Sequence, residues 1–375
     1  MAEPVKKILV TGANGFIGKN LIAFLKKREG LEIFPADVET TDKEWDDYCR
    51  DCDFVMHLAG VNRPKDVSEF MEGNFGLTTK LLGLLKKHAN PAPVLLTSSV
   101  QAKLDNDYGK SKKAGEDYLL RYGQETGAKT YIFRLPNVYG KWGRPNYNSA
   151  VITFCYNISR GLPITVNNRE TALTLVYIDD VAQSFAACLD GECTRDEEGF
   201  CVVPVTHTVT LGQIVDSLYS YRDSRKDLSV CDMNDDFQKK LYSTYLSYLP
   251  EDGFAYDLNM HCDARGSFTE FLRTDGQGQV SVNISRPHIV KGNHWHHTKN
   301  EKFLVVKGKG VIRFRKIGET QVYEYFVSGE KLQAVDIPCG YTHNIENIGE
   351  EDMVTVMWAN EPFDPQNPDT FYEEV

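Results

Sequence analysis

The feature that most restricts the fold is the opening of the chain. An apolar run, Ile8-Leu9-Val10, passes directly into Thr11-Gly12-Ala13-Asn14-Gly15-Phe16-Ile17-Gly18, and apolar residues at Leu21, Ile22, Phe24 and Leu25 then follow helical spacing. An apolar run of this kind is a buried strand, and the order strand, glycine turn, helix begins a parallel α/β unit. Glycines let the backbone approach a pyrophosphate, and the free N–H groups of the helix N-terminus face it. A glycine pattern alone says little; its place between a strand and a helix gives it weight. Gly12, Asn14, Gly15, Phe16, Ile17 and Gly18 are therefore expected to hold a dinucleotide.

The segments that follow extend this pattern. Leu31 to Ala36 is a second strand ending near Asp37, where a carboxylate bonds the adenosine ribose of NAD and repels a 2′-phosphate. Asp37 thus leans toward NAD, while Lys43 nearby leaves NADPH open. A third strand runs from Phe54 into Leu58-Ala59-Gly60, small residues suited to packing on a nucleotide, and His57 reads as a packing residue. A helix is expected from Asn74 to Leu85, and a strand at Pro93 to Leu96 ends in Thr97-Ser98-Ser99. Tyr108 and Lys112 are four apart on the next helix, which runs to Tyr122, and share one face. An ammonium so placed is expected to lower the phenol pKa from about 10, letting Tyr108 exchange a proton with a carbonyl or alcohol oxygen near neutral pH. Ser99 would bond the same oxygen, and Lys112 would also reach the nicotinamide ribose.

These residues together resemble the extended short-chain dehydrogenase/reductase family over roughly residues 5 to 250. Further segments in family order are Asp53 to Gly60, Asn74, Arg134-Leu-Pro-Asn137-Val-Tyr-Gly140 and Tyr177-Ile-Asp179-Asp180-Val181-Ala182. The resemblance implies a Rossmann-type doubly wound parallel sheet, with Ser99, Tyr108 and Lys112 catalytic. It also implies Arg63, Asn137 and Arg169 on the nucleotide-sugar side of the cleft.

At 375 residues the chain is long enough for two domains or three. Its net charge of -11 repels nucleic acid and anionic membranes, so neither is an expected partner. No apolar run approaches a membrane span, and the expected location is the cytoplasm. Nine scattered cysteines, an odd number, point to reduced thiols; the Cys49/Cys52 pair has no second pair to complete a metal site. Thr208 to Arg222 reads as a helix capped by Thr210, and Asp232 to Tyr248 as a second amphipathic segment. The turn-rich Leu249-Pro250-Glu251-Asp252-Gly253 marks a boundary between domains 1–250 and 251–375.

Beyond the boundary the chain becomes a series of short strands without helices. Phe268 to Leu272, Gln279 to Ile284, Lys302 to Lys307, Val311 to Lys316, Val322 to Val327, Leu332 to Ile337 and Met353 to Ala359 predict a barrel or sandwich. In its midst stands Gly292-Asn-His294-Trp-His296-His297-Thr-Lys-Asn-Glu301. If a strand carries them, His294 and His296 point to one face. With Glu301 and a third imidazole from His343 they form the donor set of one divalent transition metal, zinc first. His294-x-His296, Glu301 and Gly308, then Pro338-x-Gly340-x-x-His343-x-x-x-Asn347, resemble the two motifs of the cupin family, an all-β jelly-roll barrel with a metal inside. Gly329 lies farther from Pro338 than that pattern asks.

Taken jointly, the two halves resemble a family of bifunctional capsular-polysaccharide synthesis enzymes over essentially the whole chain. The likeness is densest at Leu58 to Pro64, Gly140 to Trp142, Pro145 to Ser149, Leu241 to Pro250, Asp263 to Glu270 and Gly292 to Gly310. It implies a UDP-sugar substrate, C3 epimerisation of a UDP-2-acetamido-2,6-dideoxy-hexos-4-ulose in the cupin half, and NADPH-dependent reduction at C4. The product would be UDP-2-acetamido-2,6-dideoxy-L-talose, a precursor of UDP-N-acetyl-L-fucosamine, made by a homodimer. An epimerase needs a base, an acid on the opposite face and a group to hold the oxyanion. Asp263, Arg265, Glu270, Lys291, His297 and Tyr341 are the candidates, unranked. Two other readings stand beside this one: a 4-reductase whose cupin is structural or dimerising, and a non-catalytic sugar-sensing scaffold. Whether the metal is catalytic or structural is open, since three histidines and a glutamate fill a tetrahedral shell.

Overall fold

Burial on both faces is what the apolar runs of the N-terminal half achieve in the computed structural model, which describes residues 5–274, 278–362, 364–366 and 368–375. Strands β1 (Lys6–Thr11), β2 (Leu31–Ala36), β3 (Phe54–His57), β4 (Val94–Ser99) and β5 (Thr130–Leu135) form one sheet in the order β2-β1-β3-β4-β5, every pair parallel. Alternate side chains feed two cores. Ile8, Val10, Phe54 and Met56 pack with Leu21, Leu25, Val181 and Phe185 of helices Phe16–Leu25 and Ile178–Ala187. Leu9, Val55, Val94 and Leu96 pack on the other side with Trp45, Leu81, Leu85, Leu119 and Tyr122, drawn from three further helices. The sheet is thus doubly wound. Its order reverses at the β1/β3 junction, where open α/β sheets bind ligands.

The helix expected from Asn74 is irregular where it begins. Residues Met71–Gly76 form a π-helical turn running into the α-helix Leu77–Lys87, so the regular helix starts later than Asn74. Such turns are often found at functional sites. Strands β6 (Asn137–Tyr139), β7 (Ala172–Tyr177) and β8 (His207–Thr210) make a small separate sheet. Thr210 then caps the helix Leu211–Asp227 as expected: its Oγ1 accepts from Gln213 N at 3.1 Å, and the Gln213 side chain accepts from Thr210 N at 2.8 Å.

The chain divides into two compact units, residues 1–219 with 240–250 and residues 220–239 with 251–375. Residues 220–239, expected with the first domain, group here with the second unit. The cause is a strand addition: β9 (Ser229–Val230) pairs in parallel with Arg273 and Thr274, and Arg273 N donates to Leu228 O at 2.7 Å.

The second unit is two facing sheets. One joins β10 (His261–Asp263), β11 (Gly266–Thr274), β12 (Gly278–Ser285), β19 (Met353–Ala359), β14 (Glu301–Lys307) and β17 (Ala334–Ile337) in that order, with β9 on the side of β11. The other runs β16 (Val322–Ser328), β15 (Lys309–Lys316), β18 (Tyr341–Asn347), β13 (Val290–Trp295), β20 (Phe371–Tyr372). This is the jelly-roll layout expected for the second half. Phe303, Phe314, Val335 and Ile345 fill part of the space between the sheets.

Candidate active sites

The glycine turn shows why small residues stand where they do. Gly12 has φ +66°, and a Cβ there would lie 2.9 Å from Ala59 Cα, so the ends of β1 and β3 close on each other only without a side chain. At Gly18 a Cβ would come 2.1 Å from Gly12 O, fixing how closely the helix Phe16–Leu25 packs on the turn. Asp37 stands at the end of β2, its Oδ2 accepting from Asn14 N at 2.7 Å. The carboxylate thus faces the glycine turn, with its own backbone N–H donating to Thr40 Oγ1.

Behind the turn His57 is buried, with Nδ1 on Thr11 Oγ1 at 2.7 Å and Nε2 on Thr78 Oγ1 at 3.0 Å. Both ring nitrogens are engaged and burial drives its pKa to about 3, which fits the packing role read from sequence. Asn74, held by the π-helical turn, accepts from Val61 N at 2.8 Å and donates to Val61 O and to Ser111 Oγ. It thereby ties the segment after β3 to the helix Asp107–Thr126.

That helix carries Tyr108 and Lys112, and Asn106 caps it by accepting from Gly109 N at 2.7 Å. Lys112 is buried; its Nζ donates to Thr97 O at 3.3 Å and lies 5.9 Å from the Tyr108 ring centre. A Cβ on Gly60 would come 2.8 Å from Lys112 Nζ, so Gly60 makes room for the ammonium. Burial lowers the Lys112 pKa to about 8, with Glu116 opposing. Burial also raises the Tyr108 phenol, against a hydrogen bond with Ser99 that lowers it. The net direction for the phenol in the protein alone is upward, opposite to the expected lowering, because desolvation dominates over the Ser99 hydrogen bond. Ser99, Tyr108 and Lys112 do come together at the ends of β4 and its following helix.

The sugar-side candidates are more dispersed. Arg63 is exposed, and Asn137, also exposed, reaches only Thr174 O at 3.5 Å. Arg169 is paired with Asp216, both carboxylate oxygens lying 2.7 Å from Nη2.

In the second unit His294, His296, Glu301 and His343 meet, with one ligand atom from each lying within 4.8 Å of the others. β13 and β18 bring His294 opposite His343 across a bulge between Gly292 and His294. Gly292 at φ +103° and Asn293 at φ +61° make that bulge and re-aim the strand. Glu301 Oε2 lies 3.4 Å from His296 Nε2 and from His343 Nε2. His296 Nε2, His343 Nε2 and Glu301 Oε2 are all buried without a hydrogen-bond partner. Burial raises the Glu301 carboxyl, but His296 and His343 outweigh it and hold it well below the usual range. Burial, aided by His343, lowers His294 to about 4, so it is a neutral imidazole at physiological pH. Buried imidazole and carboxylate donors converging without partners of their own fit a divalent cation.

These four line a cavity of about 910 Å³ that Asp263, Arg265, Glu270 and Lys291 also line. Arg265 donates to Asp263 at 2.6 Å, Arg273 pairs with Glu270, and Lys291 Nζ donates to Asn283 Oδ1 at 2.7 Å and Ile284 O at 2.9 Å. His297 and Tyr341 do not line it. His297 lies in the bend after β13, exposed, with its ring against Trp295 and Phe371. Tyr341 packs against the apolar cluster of Phe303, Phe314 and Ile345. Sequence reasoning missed Lys299, buried with Nζ 4.0 Å from Glu301 Oε1, although it stands between two ligands. It also missed Asp369, which holds the metal-site loop and carries no sequence signal.

Comparison with known proteins matches both units. Residues 8–197 fit the NAD dependent epimerase/dehydratase family, and residues 261–371 the polysaccharide biosynthesis C-terminal domain. A UDP-2-acetamido-2,6-beta-L-arabino-hexul-4-ose reductase of Pseudomonas aeruginosa is 47% identical over 97% of this chain and 98% of its own. The crystal structure of capsular polysaccharide assembling protein CapF from Staphylococcus aureus is 52% identical, covers 98% of this chain and 100% of its own, and superposes with a TM-score of 0.93. A CapF structure with the inhibitor 3-isopropenyl-tropolone is 48% identical over 98% of this chain and 100% of its own, with a TM-score of 0.89.

Proposed function

Because the chain belongs to the CapF family, with an NAD-dependent epimerase/dehydratase unit joined to a polysaccharide biosynthesis C-terminal unit, we propose that it is a bifunctional UDP-sugar enzyme. It is a nucleotide-sugar 4-keto reductase of polysaccharide biosynthesis, as the 47% identical full-length relative supports. The finer reading adds C3 epimerisation of the UDP-2-acetamido-2,6-dideoxy-hexos-4-ulose in the cupin unit before reduction. The observation that carries it is the convergence of the orphaned metal donors with Asp263, Glu270 and Lys291 on one cavity.

A ketone at C4 makes the C3 proton acidic, so its removal leaves an enolate that is reprotonated from the opposite face. Two carboxylates, an amine and the donor tetrad lining one cavity would supply the base, the acid and the hold on the oxygen that this needs. A divalent cation held by His294, His296, Glu301 and His343, zinc in this reading, supplies Lewis-acid stabilisation of oxygen charge. Tropolones chelate such cations through adjacent oxygens, in keeping with a metal in this family.

The first unit's glycine turn would hold a nicotinamide dinucleotide, which would supply a hydride for C4. The turn of Gly12, Gly15 and Gly18 would seat its pyrophosphate, Tyr108 would donate the proton to the developing alkoxide, Ser99 would orient that oxygen, and Lys112, 5.9 Å from the ring centre, would stabilise the phenolate left behind. NADPH is the proposed reductant on the family resemblance, with Asp37 the residue set against it.

Deuterium uptake at C3 tests the whole. The 4-keto substrate in deuterated water, without reductant, is expected to exchange at C3, and adding NADPH should give the C3-inverted alcohol. A reductase with a merely structural second unit shows no exchange, and a tenfold preference for NADH overturns the choice of cofactor.

A further inference from the structure

The last described segment of the chain is laced onto the two strands that bring His294 and His343. β20 pairs with β13 at His294 and Trp295, Glu373 N donates to Asn293 O at 3.0 Å, and Thr342 Oγ1 donates to Glu373 O. Asp369 is the anchor of this strap. Its carboxylate accepts from three successive backbone N–H groups, His297 at 2.9 Å, Thr298 at 2.7 Å and Lys299 at 2.8 Å, and from Thr298 Oγ1 at 3.1 Å. Its own carbonyl oxygen receives His296 Nδ1. A carbonyl only accepts, so His296 carries its proton on Nδ1 and turns a bare Nε2 toward Glu301.

We propose that Asp369 is a positioning residue of the metal centre: it sets the tautomer and ring direction of His296 through its main chain and locks the His297–Lys299 loop through its carboxylate. Three N–H groups in succession form a concave anion seat, and one carboxylate filling it freezes the backbone on either side of Lys299. The loop joins the ligand His296 to the ligand Glu301, so its shape fixes the distance between them. Asp369 touches neither metal donor atom directly; it acts through His296 and the loop. An outer group that holds a ligating imidazole is generally worth ten- to a hundredfold in metal affinity.

This inference rests on the reading of the tetrad as a metal site, and the test separates the two. Wild type, Asp369→Asn and Asp369→Ala are loaded with Zn2+ for chelator competition and with Co2+ for visible absorption, which reports ligand geometry. Asp369→Asn removes one acceptor and sets an N–H2 against the loop N–H groups. Its zinc affinity is expected to fall at least tenfold and its cobalt bands to shift, while NADPH binding at the first unit stays at the wild-type level. A role confined to general stability lowers the melting temperature but leaves the cobalt bands in place, and that result overturns the proposal, as does zinc affinity within twofold of wild type in Asp369→Asn. Should Asp369→Ala fail to fold, Asp369→Asn, which keeps the side-chain shape, decides alone. Failure of wild type itself to bind Zn2+ or Co2+ refutes the metal reading, and the positioning role with it.

Discussion

The two candidate sites treat their buried polar groups in opposite ways. In the first unit Lys112, Asn74 and His57 are each bonded to the protein: the ammonium to Thr97 O, the amide to Val61 and Ser111, the imidazole to Thr11 and Thr78. In the second, His296 Nε2, His343 Nε2 and Glu301 Oε2 are buried and have no hydrogen-bond partner among the described residues. Each such group costs about 1–3 kcal/mol while unpaired. The first site is a scaffold complete in itself, onto which a dinucleotide is laid; the second is completed only by what it binds. The proposed chemistry of the first therefore depends on single side chains, and that of the second on an ion that would also add to its stability.

The sharpest way to separate the two is Tyr108→Phe. It removes the proton donor and keeps the ring that packs 5.6 Å from Phe70. Reduction, followed by cofactor oxidation, is expected to fall on the order of a hundred- to ten-thousandfold, while C3 exchange proceeds at the wild-type rate. Reduction within tenfold of wild type would remove Tyr108 from the mechanism.

Chelation, or His343→Ala, makes the converse cut. C3 exchange should drop to background and the second unit should melt earlier, the loss of a tightly held ion being worth about 3 kcal/mol. Calorimetry with and without chelator checks this: a transition that ignores the chelator breaks the contrast between a finished and an unfinished site. The ability to reduce a substrate already inverted at C3 should survive.

The smallest effect concerns the cost of burying Lys112. Its pKa is about 8 in the folded protein against 10.5 for an ordinary lysine, because of burial. Between those values the unfolded chain holds the proton more firmly, so stability rises with pH, by at most about 1.4 kcal/mol per pH unit. Urea midpoints from pH 8 to 10.5 should show this rise in wild type and lose it in Lys112→Met; an unchanged slope would mean that the ammonium is better solvated than its surroundings indicate.

Legibility from sequence followed the same contrast. The strands of the first sheet are buried on both faces, so Ile8-Leu9-Val10 and Phe54-Val55-Met56 announce themselves as unbroken apolar runs. The donor tetrad was readable because two histidines at i and i+2 share a face, and His294 and His296 lie with ring centres 5.0 Å apart. The strand bearing His343 was not, because Tyr341-Thr-His-Asn-Ile-Glu-Asn puts polar residues where alternation would put apolar ones. Motif proximity likewise misled at His297, one residue from a candidate ligand but in the bend beyond β13, outside the cavity. Electrostatic reasoning gave the Tyr108 shift the wrong sign, since spacing reveals a neighbouring charge and conceals the loss of water. Asp369 lay beyond reach, because nothing local tells a carboxylate which loop it will seat.

The pairing of Ser229 and Val230 with Arg273 and Thr274 bears on how such a gene can be cut and recombined. The second unit borrows residues 220–239 from within the stretch that otherwise builds the first, so the polypeptide passes from one unit to the other at 219/220, 239/240 and 250/251. A fragment begun at residue 251 inherits the whole donor tetrad and leaves behind the strand that covers one edge of β11. A fragment meant to keep that edge paired has to carry residues 220–239 as well.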